Sequence, residues 1–361
     1  MGIKSCTKAY WTAKNVSFYD LSVIYRKIFQ KSPPVKLDVD VSIMFHSVMT
    51  DPKYAYAGRI TEVASRLSTL ASYGFVVTPV LDGFDRPDSK RDSWKRRTTK
   101  LICQSNATHC KLKAMSVGAM IDNGDGTQKL KDELDMYCKD AASMEKQGVI
   151  RETLPSIKED LYDKLFQAGA LDKNNMNGGY VKQPIMNVFQ ADPMLAFRAM
   201  NEDDYGFLYS TDSDFGLYLG PEFFYINKYK LSTKKITFDL TGVGNACMEK
   251  VKQCLNHDHS IFFTAAEHPI LDTEDHVLRS LLAIILGPDV YKRGVPNYSS
   301  SNVHDFIVKN KIFDLDQNQA HEKVIDFILE KSKKKSNISK EDILTLSSVA
   351  LSNEEFIRRT T

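Results

Sequence analysis

Short apolar runs that end in aspartate constrain this chain more than any other feature. Lys36 to Val41 reads K-L-D-V-D-V, with Leu37, Val39 and Val41 alternating against Asp38 and Asp40. That pattern predicts a short strand with acid near its C-terminal end. Phe75 to Leu81 reads as a buried strand crossed only by Pro79, and it runs into Asp82-Gly83. Gly206 to Ser210 is a third strand, leading into Thr211-Asp212-Ser213-Asp214. Between the first two, Ile60, Val63, Leu67, Leu70 and Ala71 recur at helical spacing, and Gly74 stands where a helix C-cap wants positive φ. Strands alternating with helices in this way predict an α/β fold with a central, mostly parallel sheet.

In open sheets of this kind, ligands bind beyond the carboxyl ends of the strands. Asp40, Asp82, Asp212 and Asp214 all stand there, and Asp192 opens the helix predicted over 192–200. So many carboxylates at one edge repel one another unless cations neutralise them. Hard ions such as Mg²⁺ or Mn²⁺ take oxygen ligands of this type. Two of them about 3.5–4 Å apart activate a water and stabilise the leaving oxygen in phosphodiester hydrolysis. Each acid also has an ordinary structural reading. Asp192 before Pro193 suits a helix N-cap, and Asp212 suits a turn cap.

The rest of the chain bounds its organisation and partners. Its 361 residues carry 48 Lys and Arg against 46 Asp and Glu, so any electrostatic recognition is local. The strongest local feature is residues 86–100, where seven basic side chains face two acidic ones. A solvated helix face is the plain reading of that run. No stretch approaches the roughly 20 apolar residues of a membrane span, and the start lacks a charged leader with a hydrophobic core. Six scattered cysteines without a Cys-x-x-Cys pair fit a reduced compartment, so the expectation is a soluble intracellular protein. Cys6 in place of Ser or Thr argues against myristoylation at Gly2. Residues 101–172 are polar and helix-forming. The turn at Asn123-Gly124-Asp125-Gly126 would put Ile121 at the first ligand position of a calcium loop, which excludes one. Asn174 to Gly179 is a linker. Helix, turn and helix are expected over 273–312, broken at Gly287-Pro288 and Gly294-Val295-Pro296. The expected divisions are 1–100, 101–179, 180–272, 273–330 and a basic tail over 331–361, loosely packed at its front.

These residues resemble the structure-specific 5′ nucleases, particularly the flap endonuclease and exonuclease-one branch. Met1-Gly2-Ile3 is similar to that family's start, where Gly2 approaches nucleic acid. Leu37 to Ser42 resembles its first acid motif, with His46 six residues after Asp40 at a substrate-stacking position. Val80-Leu81-Asp82-Gly83 resembles the second acid motif. The basic run then resembles a helical gateway for a single strand, with Lys90 and Arg97 as its two catalytic basic residues and Lys95 and Arg96 beside them. Phe189 to Phe197 and Ser210 to Asp214 resemble the exonuclease branch's later acid motifs, and Leu286 to Tyr291 resembles the segment carrying the last acid, Asp289. The resemblance covers roughly 1–100 and 180–312. It implies a PIN-like nuclease domain with a helical arch insertion and a helix-turn-helix (H2TH-like) DNA-binding segment.

The implied metal ligands are Asp40, Asp82, Gln190, Asp192, Asp212, Asp214 and Asp289, around two Mg²⁺ or Mn²⁺ ions. The implied partner is flapped, branched or 5′-recessed DNA, with RNA as the alternative, acted on by a monomer in the nucleus or elsewhere inside the cell. Two departures stand out. Gln190 occupies the place of a family glutamate, exchanging a charged acceptor for a neutral amide. Gly294-Val295-Pro296 replaces a glycine-rich hairpin that binds duplex phosphate with a K⁺ ion, and proline has no N–H to give. The competing reading is therefore a non-catalytic nucleic-acid-binding relative. A zinc site on Cys247, Cys254, His257 and His259 is a third reading, although C-x6-C-x2-H-x-H fits no structural zinc spacing. No glutamine-and-aromatic peptide of the kind that binds sliding clamps appears near the C-terminus.

Overall fold

The alternation of strand and helix is realised around one mixed sheet. A computed structural model describes the chain except residues 1–5, 50–55, 84–90, 125, 146–154, 172–177, 188–190, 202–205, 232–234, 256–258, 288–297, 333–337 and 348–361. The first half runs β1 (Trp11–Ser17), α1 (Phe18–Lys27), β2 (Val35–Asp40), α2 (Val41–Met49), α3 (Tyr56–Ser72) and β3 (Phe75–Leu81). The helices α4 (Arg91–Asp122), α5 (Gln128–Glu145) and α6 (Pro155–Leu171) follow. The chain then returns through β4 (Tyr180–Val181), β5 (Ile185–Met186), α7 (Ala191–Asn201), β6 (Phe207–Tyr209), α8 (Phe215–Tyr218), β7 (Phe224–Leu231) and β8 (Ile236–Gly242). The last elements are α9 (Asn245–Leu255), β9 (Phe262–Thr264), α10 (His276–Leu286), α11 (Ser300–Asn310) and α12 (Gln317–Ser332).

Two compact units divide the chain, residues 1–85 with 155–361 and residues 86–154. In the first, the strand order is β4-β3-β2-β6-β7-β8-β1-β9, with β5 also pairing β3. Every pairing from β4 and β5 across to β7 is parallel, and β7-β8-β1-β9 is antiparallel. β2 is the switch point: the chain leaves it for β3 on one side and later returns to β6 on the other. Ligands of open α/β sheets bind in the crevice such a reversal opens.

The parallel strands are covered on both faces, as their apolar runs require. All seven residues of β3 are buried. Pro79 fits inside it for a local reason. The carbonyls of Val77 and Leu81 accept from Lys182 N and Asn187 N, so that side of the strand faces β4 and β5. Pro79, between them, turns its missing N–H into the gap between those two short strands. Gly74 closes α3 at φ 106°, as its position predicts. The core joins Val39, Phe75 and Phe207 of the sheet to Leu67 and Leu70 of α3 and Leu161 and Leu165 of α6.

A second cluster gathers on α10, which is buried continuously from Leu278 to Leu286. Asp275 caps this helix by accepting from Leu278 N, and its other oxygen meets His321 of α12 at 2.6 Å. Residues 340–347 pack back onto the cluster through Ile343, fully buried, while Ser280 Oγ donates to the Ser347 carbonyl. The unit 86–154 is a helical hairpin of α4 and α5. Among its described residues, Ala107, Ala114, Val117 and Ala141 are the buried apolar ones, and Lys113 Nζ lies 5.4 Å from the Tyr137 ring centre.

Candidate active site

The carboxyl end of β2 places Asp40 between β3 and β6, with Asp40 beside Val80 and Val39 beside Tyr209 in the register. α2 begins at the next residue, so free backbone N–H groups of its first turn lie beside the acid. Ser42 N donates to Asp40 Oδ1 at 3.0 Å, and Ser42 Oγ donates to Asp82 Oδ2 at 2.8 Å. The other Asp82 oxygen accepts from Ala191 N, in the first turn of α7, at 2.8 Å. Asp82 is thereby tied to two helix starts that are far apart in sequence. Ser210 Oγ, at the end of β6, lies 3.5 Å from Asp40 Oδ2 and accepts from Asp212 N at 3.2 Å. Asp212 Oδ1 in turn accepts from Asp214 N at 3.2 Å. The turn-capping role foreseen for Asp212 is therefore real, and it leaves the second carboxylate oxygen outside that turn. Asp192 lies inside the first turn of α7 instead of before the helix.

The electrostatics bind this group together. Burial, then the negative charges of Asp192, Asp82 and Asp212, raise the Asp40 pKa well above the usual carboxylate range, while the Ile43 backbone N–H opposes the rise. A raised folded-state pKa means that Asp40 favours folding fully below its unfolded pKa, and the contribution is lost as pH climbs through the folded value. In chelator, the melting temperature of the wild type is accordingly expected to fall across that window relative to Asp40→Asn. Parallel melting curves of the two proteins would refute this if their difference stayed constant with pH.

The donor set is carboxylate oxygen with adjacent hydroxyls and amides, which suits a hard divalent ion. Among the described residues no three His, Cys, Asp or Glu side chains already stand as a closed ligand group. Both oxygens of Asp82 and both of Asp40 are held by neighbouring donors. Asp214 is buried at the start of α8 and makes no side-chain capping bond to that helix.

Gly2, Lys90, Gln190, Asp289 and Gly294 lie outside the described residues, as does His257 of the zinc reading. His46 lies on α2, and Lys95, Arg96 and Arg97 on the first two turns of α4; their side chains are outside the described set. Burial pushes the Cys247 thiol up to about 12, which works against a zinc thiolate.

Residues without an assigned role in the sequence complete the site. Ser42 and Ser210 are hydroxyl bridges, detectable only as serines within two residues of an acid on either strand end. Arg198 of α7 forms an ion pair with Asp38 of β2, Nε to Oδ2 at 2.7 Å, with side-chain exposures of 16% and 4%. That pair braces the helix carrying Asp192 against the strand carrying Asp40, and its partners are too far apart in sequence to be matched by pattern.

No family model and no curated protein matches the chain. Solved structures do. The catalytic core of Rad2 in complex with DNA substrate is similar at 14% identity, covering 88% of this chain and 77% of that one, with a TM-score of 0.44. Human GEN1 in complex with Holliday junction DNA gives 12% identity over 96% and 76%, with a TM-score of 0.41. The bacteriophage T5 D15 flap endonuclease, in a complex with DNA and metal ions, gives 14% over 89% and 99%, with a TM-score of 0.34. All three were solved with DNA.

Proposed function

We propose that the chain is a divalent-metal-dependent nuclease that hydrolyses phosphodiester bonds in flapped, branched or 5′-recessed DNA. One observation carries this reading: Asp40, Asp82, Asp192 and Asp212 share one electrostatic environment at the sheet's switch point. Bringing four acids together costs folding free energy, and a cation ligand is the chemistry that repays it. When bound, Mg²⁺ or Mn²⁺ would supply an activated water and neutralise charge on the leaving oxygen. Asp40, Asp82, Asp192 and Asp212 would hold such ions, with Asp214 and Asp289 completing the set. Ser42, Ser210 and the Ala191 N–H orient the carboxylates, so the ligand geometry is set before substrate arrives. Lys90, Lys95, Arg96 and Arg97 contact the phosphates of the strand.

The test is cleavage of a 5′-flapped and a 5′-recessed duplex with Mg²⁺, with Mn²⁺ and with chelator. Cleavage in the first two and none in the third is expected. Binding without cleavage in any metal would replace this reading with the non-catalytic relative. Gln190→Glu restores a negative charge and is expected to tighten the metal dependence of cleavage; a strong loss of activity would give the amide a role of its own. For the basic run, single-strand affinity falls with salt at a slope of about −0.7 per neutralised phosphate. Lys90→Ala with Arg97→Ala is expected to make that slope shallower by about 1.4. An unchanged slope would reduce the run to a solvated helix face.

A further inference from the structure

Residues 210–217 carry two of the acids, and their backbone is gripped from outside the loop. The carbonyl of Ser213, which lies between Asp212 and Asp214, accepts from Gly216 N at 3.3 Å and also from the hydroxyl of Tyr10. Tyr10 comes from the far end of the chain, is 5% exposed, and is followed at once by Trp11, which has no exposure at all. The phenol is thus mounted on a fixed part of the fold. The loop is shaped to admit it: a Cβ added at Gly216 would sit 2.3 Å from the Tyr10 oxygen and 2.7 Å from the nearest ring carbon. Nothing in the φ of Gly216 calls for glycine, so the ring is the reason a side chain is excluded there.

We propose that Tyr10 is a positioning residue for the acidic loop, fixing the backbone between Asp212 and Asp214 so that both carboxylates are presented to one divalent cation. The inference rests on the metal-dependent nuclease reading above and assigns the loop's geometry to a residue outside every acid motif. A carbonyl held by the hydroxyl of a buried side chain that directly precedes β1 cannot rotate freely. The carboxylates on either side of that peptide then start from one relative orientation, which lowers the ordering cost of binding an ion between them.

Tyr10→Phe keeps the ring and deletes one O–H, so it separates positioning from packing. Mn²⁺ binding is measured directly by electron paramagnetic resonance on wild type and variant. The Mn²⁺ dependence of cleavage and the affinity for flapped duplex in chelator are measured alongside. The variant is expected to bind Mn²⁺ about 10-fold more weakly, in the range for groups that orient metal ligands. The Mn²⁺ midpoint of cleavage should rise by a similar factor, saturating Mn²⁺ should restore turnover, and duplex affinity in chelator should not change. Gly216→Ala, which displaces the phenol, is expected to act in the same direction. Equal Mn²⁺ affinity in wild type and Tyr10→Phe overturns the proposal. So does a parallel loss of Mn²⁺ and duplex affinity, which signals general disruption. A wild type that binds no Mn²⁺ overturns the metal reading itself, and the positioning role with it.

Discussion

Asparagine at Asp82 or at Asp212 is expected to lower single-turnover cleavage by at least about 10²–10³-fold while the protein stays folded. The structure explains why charge and fold separate at these positions. Asp82 accepts from Ala191 N and from Ser42 Oγ. An amide oxygen can keep the first bond, and the serine hydroxyl can rotate to accept from the new NH₂ group. At Asp212, the oxygen that caps the turn by accepting from Asp214 N is likewise available from an amide. What disappears in each case is a negative charge that, on the proposed reading, holds the cation facing the negative charge developing on the phosphate. Cleavage at wild-type rates by both variants would sink the assignment. A collapse of the melting temperature in either would mean that the acid is structural.

Arg198→Met is expected to destabilise the protein by about 3 kcal/mol, because it leaves the Asp38 carboxylate buried without its counter-ion. The pair closes at 2.7 Å, and Asp38 is only 4% exposed at its side chain, so water cannot replace the guanidinium. Desolvation makes the intact pair worth far less than its disruption costs. The double variant Asp38→Val, Arg198→Met is therefore expected to recover most of the loss, measured by urea unfolding of all variants in chelator. Additive losses would show that the two side chains act separately. Activity should fall in the single variant even where it remains folded, since α7 carries Asp192 and is braced on β2 through this contact.

The half of the sheet that was legible in the sequence is the half whose strands end in acid. Lys36 to Val41 and Phe75 to Leu81 show their period clearly, and both strands form, as β2 and β3, although β2 stops at Asp40 and Val41 already opens α2. The antiparallel half gives a weaker signal for identifiable reasons. β1 contains Lys14 and Asn15, and Asn15 takes φ 63° while its N–H donates to Asp239. The resulting register shift between Ala13 and Val16 breaks the alternation a strand would otherwise show. β9 is three residues long, with Phe262 62% exposed, so it has neither length nor a buried face to read. In the apolar stretch 184–189, described as far as residue 187, Ile185 and Met186 form a strand. The acids were visible as a set because strand ends concentrate them. The serines, the Arg198 brace and the Tyr10 grip were not, because each acts through a contact fixed only by the tertiary fold.

The hairpin of residues 86–154 leaves the first unit once, a few residues after Asp82, and rejoins it once, before α6. Such a cassette can be lengthened, shortened or exchanged without touching Asp40, Asp82, Asp192, Asp212 or Asp214, since all five belong to the other unit. The candidate acids of the sheet and the basic run of residues 86–100 then occupy separately heritable pieces of one chain. A lineage could rewrite about a fifth of its length with those acids passed on intact.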